Sequence, residues 1–159
     1  MAIERVPMTV EGHSRFEAEL HRLKAEERPR IIQQIAEARA LGDLSENAEY
    51  HAAKEAQGLN EARVAELEDR LGRADVIDTA NLSGTTVKFG ATVSLEDEDS
   101  GDKVKYRIVG EGEGNVKDGM ISIGSPIARA LIGKAKGETA EVTTPRGTRS
   151  YEVLKIEWK

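Results

Sequence analysis

Two long runs of helically spaced apolar residues meet at residues 40–50, ALGDLSENAEY, and this arrangement constrains the fold more than any other feature of the chain. Phe16, Leu20 and Leu23 fall at i, i+4 and i+7, and Ile31, Ile32, Ile35 and Ala38 continue as a second stripe in a shifted phase. Thr9 is placed to cap this helix, which the spacing carries to about Leu41. Pro29 lies at the phase slip, so a kink or stutter is expected near residues 28–29. The second run carries Ala48, Ala52, Ala56 and Leu59, then Val64, Leu67, Leu71 and Ala74, on a helix expected from about Ser45 to Ala74. Gly58 sits in its middle, at a cost of about 1 kcal/mol relative to alanine. Two antiparallel helices of roughly 30 residues make a rod of roughly 45 Å. Heptad-like spacing over that length reads as a coiled-coil hairpin.

A two-helix hairpin buries one narrow seam per helix and is marginal alone, so a second module is expected at its base. The pattern does change after Ile77. Residues 78–85, DTANLSGT, read as a polar linker, and alternation follows: Ala91, Val93 and Leu95 on one face, then Val104, Tyr106 and Ile108 opposite Lys103, Lys105 and Arg107. The acidic run 96–102 contains Gly101 and reads as a solvated hairpin turn. Ile121 and Ile123 mark a further short strand. Ser125 followed by Pro126 starts a short helix that Gly133 ends. Residues 141–144 and 150–158, with Pro145, Arg146 and Gly147 between them, complete a meander. The expected fold class is α+β: an N-terminal antiparallel helical hairpin over 1–77 with its acidic tip near 40–50, a linker at 78–85, and a small antiparallel-sheet domain with one short helix over 86–159.

Composition narrows the function classes. Formal net charge is −6; residues 1–75 hold 11 Lys/Arg against 16 Asp/Glu, a balance of −5, and residues 76–159 hold 12 against 13, a balance of −1. That is not the basic footprint of an autonomous nucleic-acid binder, so no sequence-specific DNA binding is expected. Contact with nucleic acid should be local or made inside a partner. There is no cysteine, which excludes disulfides, thiolate zinc sites and Cys nucleophiles. The N-terminus has no apolar signal core and the chain no 18-residue apolar run, so no membrane partner and a cytoplasmic location are expected.

The chemistry concentrates in the turn between the helices. Asp43 and Glu46 form a D-x-x-E pattern ahead of a helix, which is close to a capping box, and acids favour a helix N-terminus. The same pair offers two hard oxygen ligands on one turn, suited to Mg²⁺ but too few to complete its octahedron. A partner would have to supply the rest, so no stably bound cofactor is expected in the chain alone. His51 adds no complete zinc ligand set, and His13 and His21 read as surface residues. Ser45 is most simply a helix-start residue.

GDLSENAEYHAAKE at 42–55, together with SPIARALIGK at 125–134, resembles the Gre family of bacterial transcript cleavage factors, and the resemblance covers essentially the whole chain. It implies an FKBP-like C-terminal domain that docks at the rim of the RNA polymerase secondary channel, with Ser125, Pro126 and Ile127 in the docking surface. It also implies a coiled coil that carries its acidic tip to the polymerase active site. There Asp43 and Glu46 would help hold a second Mg²⁺ shared with polymerase, and the polymerase would cleave its own backtracked transcript. The chain would thus be an accessory factor and not an enzyme. Arg39 and Lys54 match the family's basic patch toward the 3′ segment of the nascent RNA, while Asn47 and Glu49 stand as support for the tip. Ordinary roles for these four, first-turn solvation and pairing along the helix, stay open. So does an inhibitory homologue that occupies the same channel and blocks the active site, although GDLSENAEY matches the cleavage-competent tip. A proline isomerase is disfavoured, since Phe89, Tyr106, Tyr151 and Trp158 do not cluster in sequence.

Overall fold

Chain contacts in a computed structural model, which describes residues 4–44 and 46–158, divide the molecule into two units. His13–Arg73 form one, and the residues up to Gly12 together with those from Ala74 onward form the other.

The first unit is a helical hairpin. Helix α1, Val10–Arg22, begins at Thr9, whose hydroxyl accepts the Gly12 N–H at 3.0 Å, as the sequence led one to expect. It passes through a π-helical turn, Leu23–Glu27, into α2, Arg28–Arg39. The expected slip near Pro29 therefore takes the form of a widened turn just upstream. In a regular α-helix the Pro29 ring would strike the carbonyl four residues earlier, at Ala25, and the wider turn relieves that approach. Helix α3, Ala48–Gly72, returns antiparallel. Phe16, Leu23, Ile31, Ile35 and Ala38 are buried on the outgoing side; Ala53, Asn60, Val64 and Leu67 are buried on the return.

Four apolar positions assigned from spacing are exposed and lie outside this seam: Ile32, at 53%, and Leu59, at 68%, together with Ala48 and Ala52. The inward stripe of α3 runs one residue later than the alanine pattern indicates, through Ala53 and Asn60, because alanines on adjacent faces give the period no contrast. Ala74 is already in a strand. Ion pairs flank the seam: Arg63 grips Glu19 through two N–H donors at 2.7 and 2.8 Å, and Arg28 grips Glu61 at 2.9 and 2.7 Å. The guanidinium of Arg70 lies 5.5 Å from the Phe16 ring centroid.

In the second unit, β1 (Val6–Thr9) pairs in parallel with β2 (Ala74–Ile77). The larger sheet has the order β5-β4-β3-β7-β6, formed by β3 (Thr92–Asp97), β4 (Lys103–Val109), β5 (Met120–Ser122), β6 (Thr139–Thr144) and β7 (Gly147–Glu157). All its pairings are antiparallel except β4 with β5. The alternation in β3 is as expected, with Val93 and Leu95 fully buried against Ile108, Val153 and the short helix α4, Pro126–Leu131. A 3₁₀ turn, Thr79–Asn81, follows β2, and the Asp78 carboxylate caps it by accepting the Ala80 N–H at 3.0 Å. The acidic β3–β4 turn is more than a solvated loop. Asp97 is buried and accepts the Asp99 and Ser100 N–H groups at 2.9 and 3.3 Å, with Arg149 at 3.2 Å. A second buried carboxylate, Glu113, accepts the Thr9 N–H at 3.1 Å, the Gly110 N–H at 2.8 Å and the Thr9 hydroxyl. A Cβ at Gly12 would overlap that carboxylate.

Candidate functional site at the hairpin tip

The last turn of α2 and the first turn of α3 define the tip. Ala40 and Leu41 N–H donate back to Ala36 and Ala38, and Gly42 then turns the chain with φ at +122°, a conformation that favours glycine. Asn47 starts α3. Its Oδ1 accepts the Tyr50 N–H at 3.0 Å, and its Nδ2 donates to the Ala38 carbonyl at 2.6 Å. One side chain thus caps the returning helix and ties it to the end of the outgoing one.

With Asn47 in the capping position, Asp43 and Glu46 are not a capping box. Both are exposed in the loop, and Ser45 lies outside the described residues. Asp43, Glu46 and Glu49, with Leu41, Asn47 and Ala48, line one open basin of about 420 Å³. Glu49 stands in the first turn of α3, where the exposed amide ends favour negative charge. It also borders a groove of about 290 Å³ with Gln34, Glu37, Ala38, Ala52 and Ala53. Leu41 is 66% exposed at the basin edge. Among the described residues, no group of three His, Asp or Glu is arranged to hold a metal.

The two cations of the region are placed differently. The Arg39 guanidinium lies 5.9 Å from the Tyr50 ring centroid, and the Tyr50 ring meets His51 edge-on at 5.6 Å. Lys54 donates to Gln57 at 2.9 Å. The fold therefore gathers Asp43, Glu46, Asn47 and Glu49 at one basin and leaves Arg39 and Lys54 outside its lining.

In the sheet unit, the Ser125 hydroxyl accepts the Ala128 N–H at 3.3 Å and Pro126 occupies the first turn of α4. Ser125 and Ile127 border a shallow, mainly apolar groove of about 280 Å³ with Gly114, Val116, Met120, Ile121 and Ser122. Val116 stands 70% exposed at its edge. Tyr106, Tyr151 and Trp158 pack on the core. Sequence reasoning did not single out Asn60, Glu113 or the two hydrogen bonds by which Asn47 joins the helix ends. Asn60 had a visible signal, a polar residue seven positions from both Ala53 and Leu67.

Both parts of the chain, the helical hairpin with its acidic tip and the sheet unit that follows it in sequence, match known families of transcription elongation factors. Residues 6–76 match the N-terminal transcription elongation factor family, and residues 82–158 match the GreA/GreB C-terminal family. The chain belongs to the GreA/GreB family of transcription elongation factors. It is 60% identical over 157 residues to the transcription elongation factor GreA of Nitrobacter winogradskyi, covering 99% of each chain. It is 61% identical over 156 residues to GreA of Methylobacterium sp. strain 4-46, covering 98% of this chain and 99% of the relative. Among solved structures, the GreA factor homolog 1 of Thermus thermophilus aligns with a TM-score of 0.45 at 31% identity, over 97% of this chain and 99% of that one.

Proposed function

We propose that this protein acts on RNA polymerase from within the secondary channel, where its hairpin tip stimulates the polymerase's own cleavage of backtracked transcripts. The observation that carries this reading is the placement of Asp43 and Glu46. Both are exposed on one basin at the turn of a helical hairpin, where Asn47 is the residue that caps α3. Two such carboxylates are hard oxygen donors that suit Mg²⁺ yet leave most of its six positions to waters, phosphate oxygens and another protein. The donor set fits a shared ion and not a private one.

When bound there, Mg²⁺ supplies the second charge centre of two-metal phosphodiester hydrolysis. Asp43 would contribute a carboxylate oxygen to it, and Glu46 would contribute a second oxygen or accept a hydrogen bond from a water and so orient it. Asn47 holds the loop against both helices while these groups act. Arg39 and Lys54, on the helices that flank the tip, would meet RNA phosphates at the 3′ segment, adding salt-dependent affinity without sequence readout. Ser125, Pro126 and Ile127, beside an apolar groove, form the surface that docks on the polymerase. The protein itself is an accessory factor and has no nuclease activity.

Stalled, backtracked elongation complexes with Mg²⁺ test the reading. Wild-type protein should release short 3′ RNA fragments, and Asp43→Ala or Glu46→Ala should lower the rate on the order of 100-fold, the scale of removing one group that stabilises a transition state. Polymerase binding should be retained. Wild-type rates in both variants would remove the metal-delivery role. RNA cleavage by the protein without polymerase would overturn the accessory role, and binding that suppresses cleavage would identify a channel blocker.

A further inference from the structure

One polar side chain interrupts the apolar seam of the hairpin. Asn60 is 9% exposed, and its side-chain N–H donates to the Leu23 carbonyl at 3.3 Å. That carbonyl also accepts the Arg28 N–H across the π-helical turn. On α3, the buried positions Ala53, Asn60 and Leu67 keep a seven-residue interval. On the facing helix, Phe16, Leu23, Ile31 and Ala38 are separated by seven, eight and seven residues. The extra residue lies between Leu23 and Ile31, where the π turn is, and Asn60 meets the first residue of that turn.

One residue of α-helix is a rotation of about 100°, so an eight-residue step in regular helix would carry Ile31 about 80° off the seam. Ile31, Ile35 and Ala38 face α3 only while the π turn absorbs that residue. Pro29 disfavours a regular α-helix there but does not by itself choose where the turn begins. The Asn60 N–H does choose, because it rewards the one placement that aims the Leu23 carbonyl into the seam. An apolar residue of similar size would avoid burying an amide, and a buried Asn in a helical seam is best known for setting register.

We propose that Asn60 is a positioning residue for the acidic tip. It pins the π turn at Leu23–Glu27 and so sets the rotation at which α2 presents the Ala38 carbonyl to Asn47, which in turn orients the loop of Asp43 and Glu46. The link to cleavage rests on the function proposed above; the pinning itself does not.

The chain has no cysteine, so engineered pairs report helix facing without background. Glu19 and Arg63, whose side chains meet at 2.7 Å, lie on the base side of the π turn. Glu37 and Ala52, which border one groove, lie on the tip side. In full-length protein, Asn60→Leu should leave short-arm cross-linking of Glu19→Cys/Arg63→Cys unchanged and sharply reduce that of Glu37→Cys/Ala52→Cys. Asn60→Asp, of the same size without the donor, should do the same. At saturating factor, transcript cleavage should fall on the order of tenfold to 100-fold, as misplaced catalytic groups do. The half-maximal factor concentration and the melting temperature of Asn60→Leu should be kept. Wild-type cross-linking at both pairs in both variants would overturn the pin, and so would equal loss at both pairs with a lowered melting temperature, which marks general destabilisation. If wild-type protein stimulates no cleavage, the functional reading fails while the cross-links still decide the pin.

Discussion

Asn47 joins two helix ends through one amide, and its two bonds separate by substitution. Asn47→Asp keeps the oxygen that accepts the Tyr50 N–H and loses the donor to Ala38. Asn47→Ala loses both, and should lower stability by about 1 kcal/mol through the missing cap, read from denaturant midpoints. Asn47→Asp should remain closer to wild type. Asp97 makes a prediction in pH. The Asp99 N–H, then the Ser100 N–H and Arg149, hold its carboxyl below the usual range, against the opposing effect of burial. A depressed carboxylate contributes stability above its unfolded pKa, about 3.9, and loses it as pH falls through the lower folded value. The sheet unit of Asp97→Asn should therefore lose less stability than wild type between pH 6 and pH 2, each protein compared with itself by chemical unfolding, where about these limits bracket the titration of a carboxylate. These residue-scale roles were only partly legible beforehand. D-x-x-E before a helix allows a cap as well as a pair of metal ligands, and the asparagine next in line reaches both helix ends and takes the capping place.

At the scale of elements, hydrophobic period located the helices well and their inward faces less well. The outgoing helix has bulky Phe16, Leu23, Ile31 and Ile35 to mark its face, and the phase slip among them was visible in the sequence. Its form was not, since a proline at a slip is compatible with a kink, a break or a π turn. On α3 the alanines mark no face, and the buried stripe became definite only where α2 packs on it. Gly58 belongs to this scale. A Cβ built there meets nothing within 4 Å, so no close helix contact compensates for the glycine. Gly58→Ala should stabilise the hairpin by about 0.5–1 kcal/mol, seen as a higher melting temperature.

At the scale of the whole molecule, each unit can be described by its own packing. The sheet unit packs Val87, Val93, Leu95, Ile108, Leu131 and Val153 at full burial, while the hairpin has a single seam with an amide in it. Calorimetry should resolve a less stable hairpin transition from a more stable sheet transition. Gly58→Ala should move only the first and Asp97→Asn only the second, because substitutions with no shared partners act independently. A single transition displaced by both substitutions would show one cooperative unit instead.

The sequence alone determined that two long helices flank an acidic turn, that an alternating sheet module follows, and which family's motifs the chain carries. Those features are written in local period, turn chemistry and contiguous motifs, which need no partner to be read. Only the tertiary structure decided that α3 turns Ala53 and Asn60 inward, that Asn47 takes the cap and leaves Asp43 and Glu46 exposed on the basin, and that the phase slip is a π turn met by Asn60. Each of these depends on a group at least nine residues away in sequence, Ala38 for Asn47 and Leu23 for Asn60, and a donor's choice of such an acceptor is made by packing.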